Sequence, residues 1–247
     1  MAQTYTAPAS GTTATVTATT VDTPVSTSSV TLTLVAPSAV TVAVSPATFE
    51  MVTGTGTKAF SATASPLTNN AVTWTGTGVN GSGTFNATGL AAGSYTVTAT
   101  SAAAPTRSGS ATVSLVAPGS VTVKVSPASA GTVVGGTAQF IAVVTGVTTA
   151  NQGVTWTLSG GGSISSTGLF TATALGTFTV TATNAFSSQV GTASITVRSL
   201  DLNGDGVTDL RDLLFFAKSY GTATASCDLN GDGLVNDADL SLLLAGL

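Results

Sequence analysis

Two copies of one acidic pattern occupy the end of the sequence and constrain its fold more than any other feature. The first copy runs from Asp201 to Asp212 and the second from Asp228 to Asp239, and each begins Asp-Leu-Asn-Gly-Asp-Gly. In a calcium-binding loop, oxygen ligands stand at positions 1, 3, 5, 7, 9 and 12, and a glycine at position 6 allows the sharp turn. Both copies carry a suitable residue at every one of these positions.

The duplicated pattern predicts two bound Ca²⁺ ions, one in each copy. Position 7 contributes its main-chain carbonyl, position 9 acts through water, and the other positions contribute side-chain oxygens. The predicted ligands are Asp201, Asn203, Asp205, Val207, Asp209 and Asp212 in the first loop and Asp228, Asn230, Asp232, Leu234, Asn236 and Asp239 in the second. The alternative is an acidic tail rich in Asx turns and free of metal, which would have to hold eight carboxylates together in residues 201–247.

Charge is divided unevenly along the chain. Residues 1–200 contain two acidic and four basic residues, and residues 201–247 contain eight acidic and two basic residues, which together give the net charge of −4. No basic patch exists to bind nucleic acid, and no apolar run approaches the ~20 residues of a transmembrane segment. The nearly uncharged first part is typical of a surface-protein repeat, with glycosylation or packing into an assembly as alternatives.

Side chains that carry catalysis are scarce. The sequence contains no histidine, which excludes His-dependent nucleophile systems and the usual zinc sites. Glycoside hydrolysis needs two positioned carboxylates, and before residue 201 only Asp22 and Glu50 are acidic. The lone Cys227 cannot form an internal disulfide; we predict a small buried residue, with intermolecular pairing as the alternative. We therefore predict that the chain is not an enzyme.

An internal repeat organises residues 38–199. The motif Val-Thr-Val-Ala-Val-Ser-Pro at 40–46 returns as Val-Thr-Val-Lys-Val-Ser-Pro at 121–127. Apolar and polar residues alternate in such runs, which is the period of a half-buried strand. Several runs in each copy, separated by Gly, Ser, Asn and Pro, predict one β-sandwich in residues 38–118 and another in residues 119–199.

Each repeat has one tryptophan within a Val-Thr-Trp-Thr run. We predict that Trp74 and Trp156 are core anchors on central strands, and an exposed platform for sugar stacking is the alternative. With the Val-x-Val-Ser-Pro opening, Gly136-Thr-Ala-Gln-Phe140 and Ser166-Thr-Gly-Leu-Phe170, the repeats resemble the bacterial immunoglobulin-like repeats of surface adhesins and secreted enzymes. That resemblance implies immunoglobulin-like sandwiches with a mostly structural role.

Residues 1–37 match only the closing third of a repeat. The run ending Leu-Val-Ala-Pro at residue 37 parallels the run ending Leu-Val-Ala-Pro at residue 118, and Tyr5-Thr-Ala-Pro stands at the start. We expect a partial immunoglobulin-like domain of closing strands only, which would expose an apolar face and unpaired strand edges. Two completions stay open: strands of a neighbouring subunit, which would generate a polymer, or further sequence upstream.

After residue 199 the apolar spacing becomes helical, so that a helix follows each acidic loop. The predicted apolar faces are Leu210, Leu213, Leu214 and Ala217 with Phe216 beside them, and Leu240, Leu243, Leu244 and Leu247. This duplicated loop-and-helix unit, residues 200–247, resembles the dockerin module of secreted carbohydrate-degrading systems through Asp-x-Asn-x-Asp-Gly and the Asp-Leu that ends each loop. The resemblance implies two antiparallel helices organised by calcium and a cohesin-like partner.

In that resemblance the partner contacts loop positions 10 and 11. These are Leu210 and Arg211 in the first copy and Asp237 and Ala238 in the second. Because the copies differ there, docking of the module on its own sandwich or on another subunit is the alternative.

The sequence predicts a mainly β chain of tandem immunoglobulin-like sandwiches with a small C-terminal α module built on two EF-hand-like calcium loops. We expect a secreted structural protein, because calcium loops of moderate affinity saturate outside cells, although Met1-Ala-Gln-Thr shows no signal peptide. The function we predict is a filament or surface-fibre subunit; the alternative is a non-catalytic anchoring segment of a larger carbohydrate-active or adhesin protein. Asn80 and Asn86 stand in glycosylation sequons.

Overall fold

The computed structural model describes residues 13–19, 25–33, 35–54 and 56–247. The chain divides into two compact units, Met1–Leu115 and Val116–Leu247. The described residues are mainly β, with two short α-helices near the C-terminus, which confirms the predicted fold class. Among the described residues, no helix has the length and hydropathy needed to cross a membrane. The division into four domains stays a prediction.

The first unit is built from Thr- and Val-rich strands, residue types that suit a half-buried pleated surface. These strands are β1 (Thr13–Thr19), β2 (Thr27–Thr33), β3 (Thr41–Ser45), β4 (Thr48–Val52), β5 (Thr57–Ala59), β6 (Ser61–Ser65), β7 (Val72–Thr75), β8 (Thr84–Asn86), β9 (Gly93–Ser101) and β10 (Ser108–Val116). One sheet has the order β4-β10-β9-β7, and β3 pairs with β6 and β5 with β8. Phe85, Val97 and Val113, each 0% exposed, lie in the core between them.

Strands β1 and β2 form an antiparallel hairpin within the predicted partial domain. Val16 lies opposite Val30 in its register, and the two residues are 39% and 58% exposed. The Tyr5-Thr-Ala-Pro part of that domain lies outside the described residues, and the completion of residues 1–37 stays a prediction.

The second unit repeats the strand order of the first. Its strands are β11 (Thr122–Ser126), β12 (Ser129–Val133), β13 (Thr137–Gln139), β14 (Ile141–Thr145), β15 (Val154–Leu158), β16 (Gly162–Ile164), β17 (Leu169–Ala172), β18 (Gly176–Asn184) and β19 (Val190–Arg198). The sheet β12-β19-β18-β15 corresponds to β4-β10-β9-β7, and the pair β11–β14 corresponds to β3–β6. Strand β12 runs parallel to β19, while β18 and β19 pair antiparallel with Phe178 opposite Ile195.

The two tryptophans pack against their cores, as predicted, but not from central strands. Trp74 is on β7 and Trp156 on β15, and each strand lies at the end of its sheet. The central position was therefore wrong, because β7 and β15 each pair with one neighbouring strand only, and a glycine turn packs closely against each tryptophan ring. A Cβ added to Gly83 would lie 2.5 Å from the Trp74 ring, and one added to Gly168 would lie 2.9 Å from the Trp156 ring.

The second unit ends in the two predicted helices, α1 (Leu210–Ser219) and α2 (Asp237–Leu244). Their buried faces are narrower than the sequence predicted. Phe216 and Leu243 are 1% and 0% exposed, with Leu213 and Leu240 partly buried beside them. The rest of the predicted faces points outward, which corrects the assignment of Leu210, Leu214, Ala217, Leu244 and Leu247. The last aspartate of each loop, Asp212 or Asp239, is buried and accepts hydrogen bonds from the loop backbone. These bonds fix which face of the following helix points toward the core.

The small core of the calcium-loop segment also contains Cys227 and Leu229, both 0% exposed. Cys227 is therefore the buried residue that the sequence predicted. Val133, the last residue of β12, belongs to the same core. The segment thus packs on the sandwich that precedes it, which was one of the alternatives that the sequence left open.

Candidate metal centre

The second acidic loop brings three carboxylates together. Oxygen atoms of Asp228, Asp232 and Asp239 lie within 4.8 Å of one another, and no other such group of acidic, Cys or His side chains is found in the part of the chain that the structure describes. Asp228 is 7% exposed and Asp239 0% exposed. An oxygen-only set of carboxylates at the start, middle and end of one loop fits a hard cation such as Ca²⁺.

Asp228 shapes this loop through its main-chain contacts. One of its carboxylate oxygens accepts hydrogen bonds from the backbone N–H groups of Gly231 and Asp232, at 2.8 and 3.1 Å. The other accepts from Gly233 N–H at 3.0 Å. The backbone therefore curls around the position 1 carboxylate, with Gly233 at a φ of 96°, a left-handed conformation that glycine adopts freely.

The first loop has the same internal hydrogen bonds. Asp201 accepts from Gly204 N–H at 2.7 Å and from Gly206 N–H at 2.9 Å, and Asn203 Nδ2 donates to Asp205 at 3.0 Å. It differs in exposure, because Asn203 and Gly204 are exposed whereas their counterparts Asn230 and Gly231 are half-buried. The position 7 residues, Val207 and Leu234, are 57% and 47% exposed.

Each position 12 carboxylate accepts hydrogen bonds from several backbone N–H groups of its own loop. Asp212 is 0% exposed and accepts from the backbone N–H groups of Leu202, Asn203 and Asp209, at 2.7, 3.1 and 2.8 Å. Burial raises the pKa of Asp212, but these hydrogen bonds outweigh it and hold the pKa below its ordinary value. Asp239 accepts in the same way from Asn230 and Asn236.

Asp232 is also held in its charged form. The side-chain hydrogen bond from Asn230, the backbone N–H of Leu234 and the side chain of Asn236 lower its pKa, against a smaller opposing effect of burial. A carboxylate must be deprotonated to bind a metal. The hydrogen bonds of Asp212 and Asp232 therefore extend the pH range over which both carboxyls stay charged to lower pH.

The position 9 residues have a second role that the sequence reasoning missed. Asp209 accepts from the backbone N–H of Arg211 at 2.7 Å, and Asn236 accepts from that of Ala238 at 2.7 Å. Each is the N-cap of the following helix, in a capping box closed by the position 12 aspartate. The signal was present in the sequence as an Asp or Asn followed three residues later by an acidic residue just before an apolar run.

Arg211 distinguishes the first loop electrostatically. Its Nη1 lies 3.6 Å from an Asp205 oxygen and 3.7 Å from an Asp209 oxygen. The equivalent residue of the second loop is Ala238. The first loop therefore carries a positive charge of its own beside two predicted ligands, and the second loop does not.

The outer faces of the two helices differ as well. Leu210 and Leu214 on α1 are 70% and 66% exposed. At the equivalent positions α2 has Asp237 and Ser241, both exposed, and Tyr220 donates a hydrogen bond to Asp237, which raises the pKa of Tyr220. At these two positions only the first copy carries leucines; the exposed leucines of the second copy, Leu244 and Leu247, lie at and beyond the C-terminal end of α2.

Residues 199–247 match the family model described as the Dockerin type I domain. A dockerin domain therefore forms the C-terminal part of this chain, as the resemblance predicted. Dockerin type I domains bind calcium, imply a cohesin partner, and occur in secreted or cell-surface proteins. Dockerin and immunoglobulin-like folds are non-catalytic modules. No curated protein matches the chain significantly.

Several solved structures resemble the chain at low identity. Mouse cadherin-23 EC22–24 is 16% identical, with 75% of this chain and 73% of that chain covered and a TM-score of 0.28. Three N-terminal domains of the bacteriophage RB49 highly immunogenic outer capsid protein (Hoc) give 14% identity, coverages of 64% and 69%, and a TM-score of 0.34. Protocadherin gammaB7 EC3–6 gives 16% identity and a TM-score of 0.28, and the match spans 57% of that chain. TM-scores of this size carry no argument, so the fold assignment rests on the sheet topology.

Proposed function

We propose that this chain is a non-catalytic, extracellular spacer and docking segment of a larger secreted protein, attached to a cohesin-type partner through a module that two Ca²⁺ ions fold. The immunoglobulin-like sandwiches form the spacer, and the dockerin domain supplies the attachment. The predicted ligands hold one ion in each loop, where the ions neutralise carboxylates that would otherwise repel one another.

The observation that carries this proposal is the pair of exposed leucines on α1. Exposed apolar patches on a folded protein can mark interaction sites, and this pair lies one helical turn apart on α1. Leu210 and Leu214 are 70% and 66% exposed, while the opposite side of the helix buries Phe216 in the module core. Both leucines follow loop one directly, so a calcium ion that orders this loop also orients the patch.

Binding of a cohesin domain to the full chain, measured by calorimetry, tests the proposal. We expect calcium-dependent binding that weakens by at least about tenfold in the double variant Leu210→Ala, Leu214→Ala, since buried anchors at interfaces commonly contribute more than ~1 kcal/mol each. The matched control is Ser241→Ala, the equivalent of Leu214 on α2, which should bind as the parent does. Equal binding by the leucine variant, or binding that persists in EGTA, contradicts the proposal.

A second candidate function is a filament subunit, and the β1–β2 hairpin favours it. Among the described residues these two strands form a sheet of their own, and the facing pair Val16 and Val30 is exposed. Strands from a second subunit would extend this sheet and cover the valines. Because each subunit would then complete the next, the contact would generate an open polymer.

Electron microscopy of the purified chain separates the two functions. A filament built by strand complementation should disappear when residues 1–37 are deleted or when a peptide with the missing strands is added. Polymers that persist unchanged in both experiments, or particles that stay monomeric throughout, rule out complementation and leave the docking function.

The sequons at Asn80 and Asn86 stay a prediction; both asparagines are exposed and accept turn hydrogen bonds through Oδ1.

A further inference from the structure

The second calcium loop makes main-chain contact with the sandwich before it. Gly131 in β12 donates its N–H to the carbonyl oxygen of Asn230 at 2.6 Å. Strand β12 lies at the end of its sheet, so its outward N–H groups are free to bond with another segment. Asn230 is the predicted position 3 ligand of loop two, and the contact therefore reaches the metal site directly.

Two glycines make this close approach possible. A Cβ on Gly131 would lie 2.5 Å from Nη1 of the flexible Arg198 side chain, and 2.6 and 2.7 Å from the backbone carbonyl carbon of Asn230 and the backbone nitrogen of Gly231. A Cβ on Gly231 would in turn lie 2.8 Å from the nitrogen of Gly131. In the first loop the equivalent of Gly231 is Gly204, where an added Cβ would meet nothing within 4 Å. Only loop two is therefore seated against another backbone.

The two repeats differ at the residue that makes the contact. Their shared opening motifs align Gly131 with Glu50 of the first repeat, so the strand itself does not require a glycine here. A glycine inside a strand often marks the close approach of another backbone. The close backbone contact between β12 and loop two is thus a specific feature of the second sandwich.

Two further contacts hold the same segment. Arg198 at the end of β19 donates from Nε to the carbonyl oxygen of Ala225 at 3.2 Å, three residues before the loop begins. Val133 of β12 packs into the core that contains Leu229. Loop two is fixed on both sides of Asp228, which is 7% exposed.

We propose that Gly131 is a positioning residue for the second calcium ion: the sandwich holds the Asn230–Gly231 turn in its ligand-binding conformation, so that loop two binds Ca²⁺ more tightly than loop one. This inference rests on the proposed calcium-folded docking function. A loop that is already ordered loses less conformational entropy when the ion binds. The coupling is reciprocal, so calcium in loop two also stabilises the junction between sandwich and module.

Calcium titration of the full chain tests this, with Asp201→Ala in every sample to disable loop one so that calorimetry reports loop two. Adding Gly131→Ala should weaken calcium binding about tenfold, because the new methyl group displaces the Asn230–Gly231 turn. The matched control is Gly153→Ala in the same sandwich, where a Cβ meets nothing within 4 Å; its affinity should equal that of the parent. Arg198→Ala should weaken binding by a smaller factor.

The ¹H–¹⁵N spectrum of β18 and β19 shows whether each variant keeps a folded sandwich. A folded Gly131→Ala variant that binds calcium as tightly as the control overturns the inference. If Gly131→Ala fails to fold, an Arg198→Ala variant with unchanged affinity overturns it instead. The same titration distinguishes failure of the proposed function from failure of this inference. A chain without Gly131→Ala that binds no calcium overturns the calcium-folded docking function and the positioning role together. Normal calcium binding with no change in affinity in Gly131→Ala overturns only the positioning role.

Discussion

The two calcium loops share a sequence pattern and an internal hydrogen-bond scheme, yet their surroundings differ. Loop one is exposed at positions 3 and 4, has Arg211 beside its carboxylates, and leads into a helix with an outward pair of leucines. Loop two packs against β12, has Ala238 in place of the arginine, and leads into a helix with Asp237 and Ser241 where α1 has its two exposed leucines. Identical loop patterns therefore stand in different surroundings: the second copy is attached to the preceding sandwich, and the first copy carries the surface that we propose for a partner.

Removing calcium should have the largest effect on both copies. Without metal the clustered carboxylates repel one another, and a core as small as that of this module does not hold two short helices. Adding EGTA should abolish most of the helical circular dichroism while the β signal of the sandwiches stays. A helical signal that is unchanged in EGTA would show that hydrogen bonds alone hold the loops.

Truncating a side chain to alanine should cost much more stability on the inner face of α1 than on its outer face. Phe216→Ala should destabilise the calcium-loaded module by ~3–5 kcal/mol, because Phe216 is 1% exposed. Leu214→Ala, two residues away on the outer face, should change stability by less than ~0.5 kcal/mol. Chemical denaturation followed by circular dichroism measures both, and similar losses for the two variants would contradict the assigned faces.

Removing each position 12 carboxylate compares the two loops by the free energy of unfolding of the module in calcium, measured by chemical denaturation. Asp212→Ala leaves the part-buried N–H groups of Leu202, Asn203 and Asp209 without their acceptor, at no more than ~1–3 kcal/mol for each unsatisfied group. Asp239→Ala should cost less, because the sandwich also braces loop two. A larger loss for Asp239→Ala would reverse the proposed difference between the loops.

The smallest expected effect concerns Arg211. Arg211→Ala should raise the calcium affinity of loop one about two- to fivefold, since exposed ion pairs contribute at most ~1 kcal/mol. The control is Lys218→Ala, in the last turn of the same helix. The gain in calcium affinity should be smaller at high salt, where exposed charges are screened. Calorimetry at two ionic strengths measures this, and a gain of the same size at both would contradict an electrostatic effect of Arg211.

Much of this arrangement could be predicted from the sequence, because it depends on local pattern. The strand repeat follows from alternation, and the order of loop and helix follows from ligand spacing and apolar periodicity. The orientation of α1 could not be predicted, since Leu213 and Leu214 are equally apolar and only the inward turn of Asp212 decides which is buried. The edge position of Trp74 depends on the sheet order, which brings together strands distant in the chain, and the role of Gly131 depends on a neighbour about a hundred residues away in the chain.

Site-resolved calcium titration of the full chain tests most directly whether loop two binds calcium more tightly than loop one. Gly206 and Gly233 donate their N–H groups to the position 1 carboxylates at 2.9 and 3.0 Å, so each amide reports on its own loop. In ¹H–¹⁵N spectra the Gly233 signal should reach its calcium-bound position at lower Ca²⁺ than the Gly206 signal. Simultaneous changes, or a Gly206 change that comes first, would contradict a braced second loop.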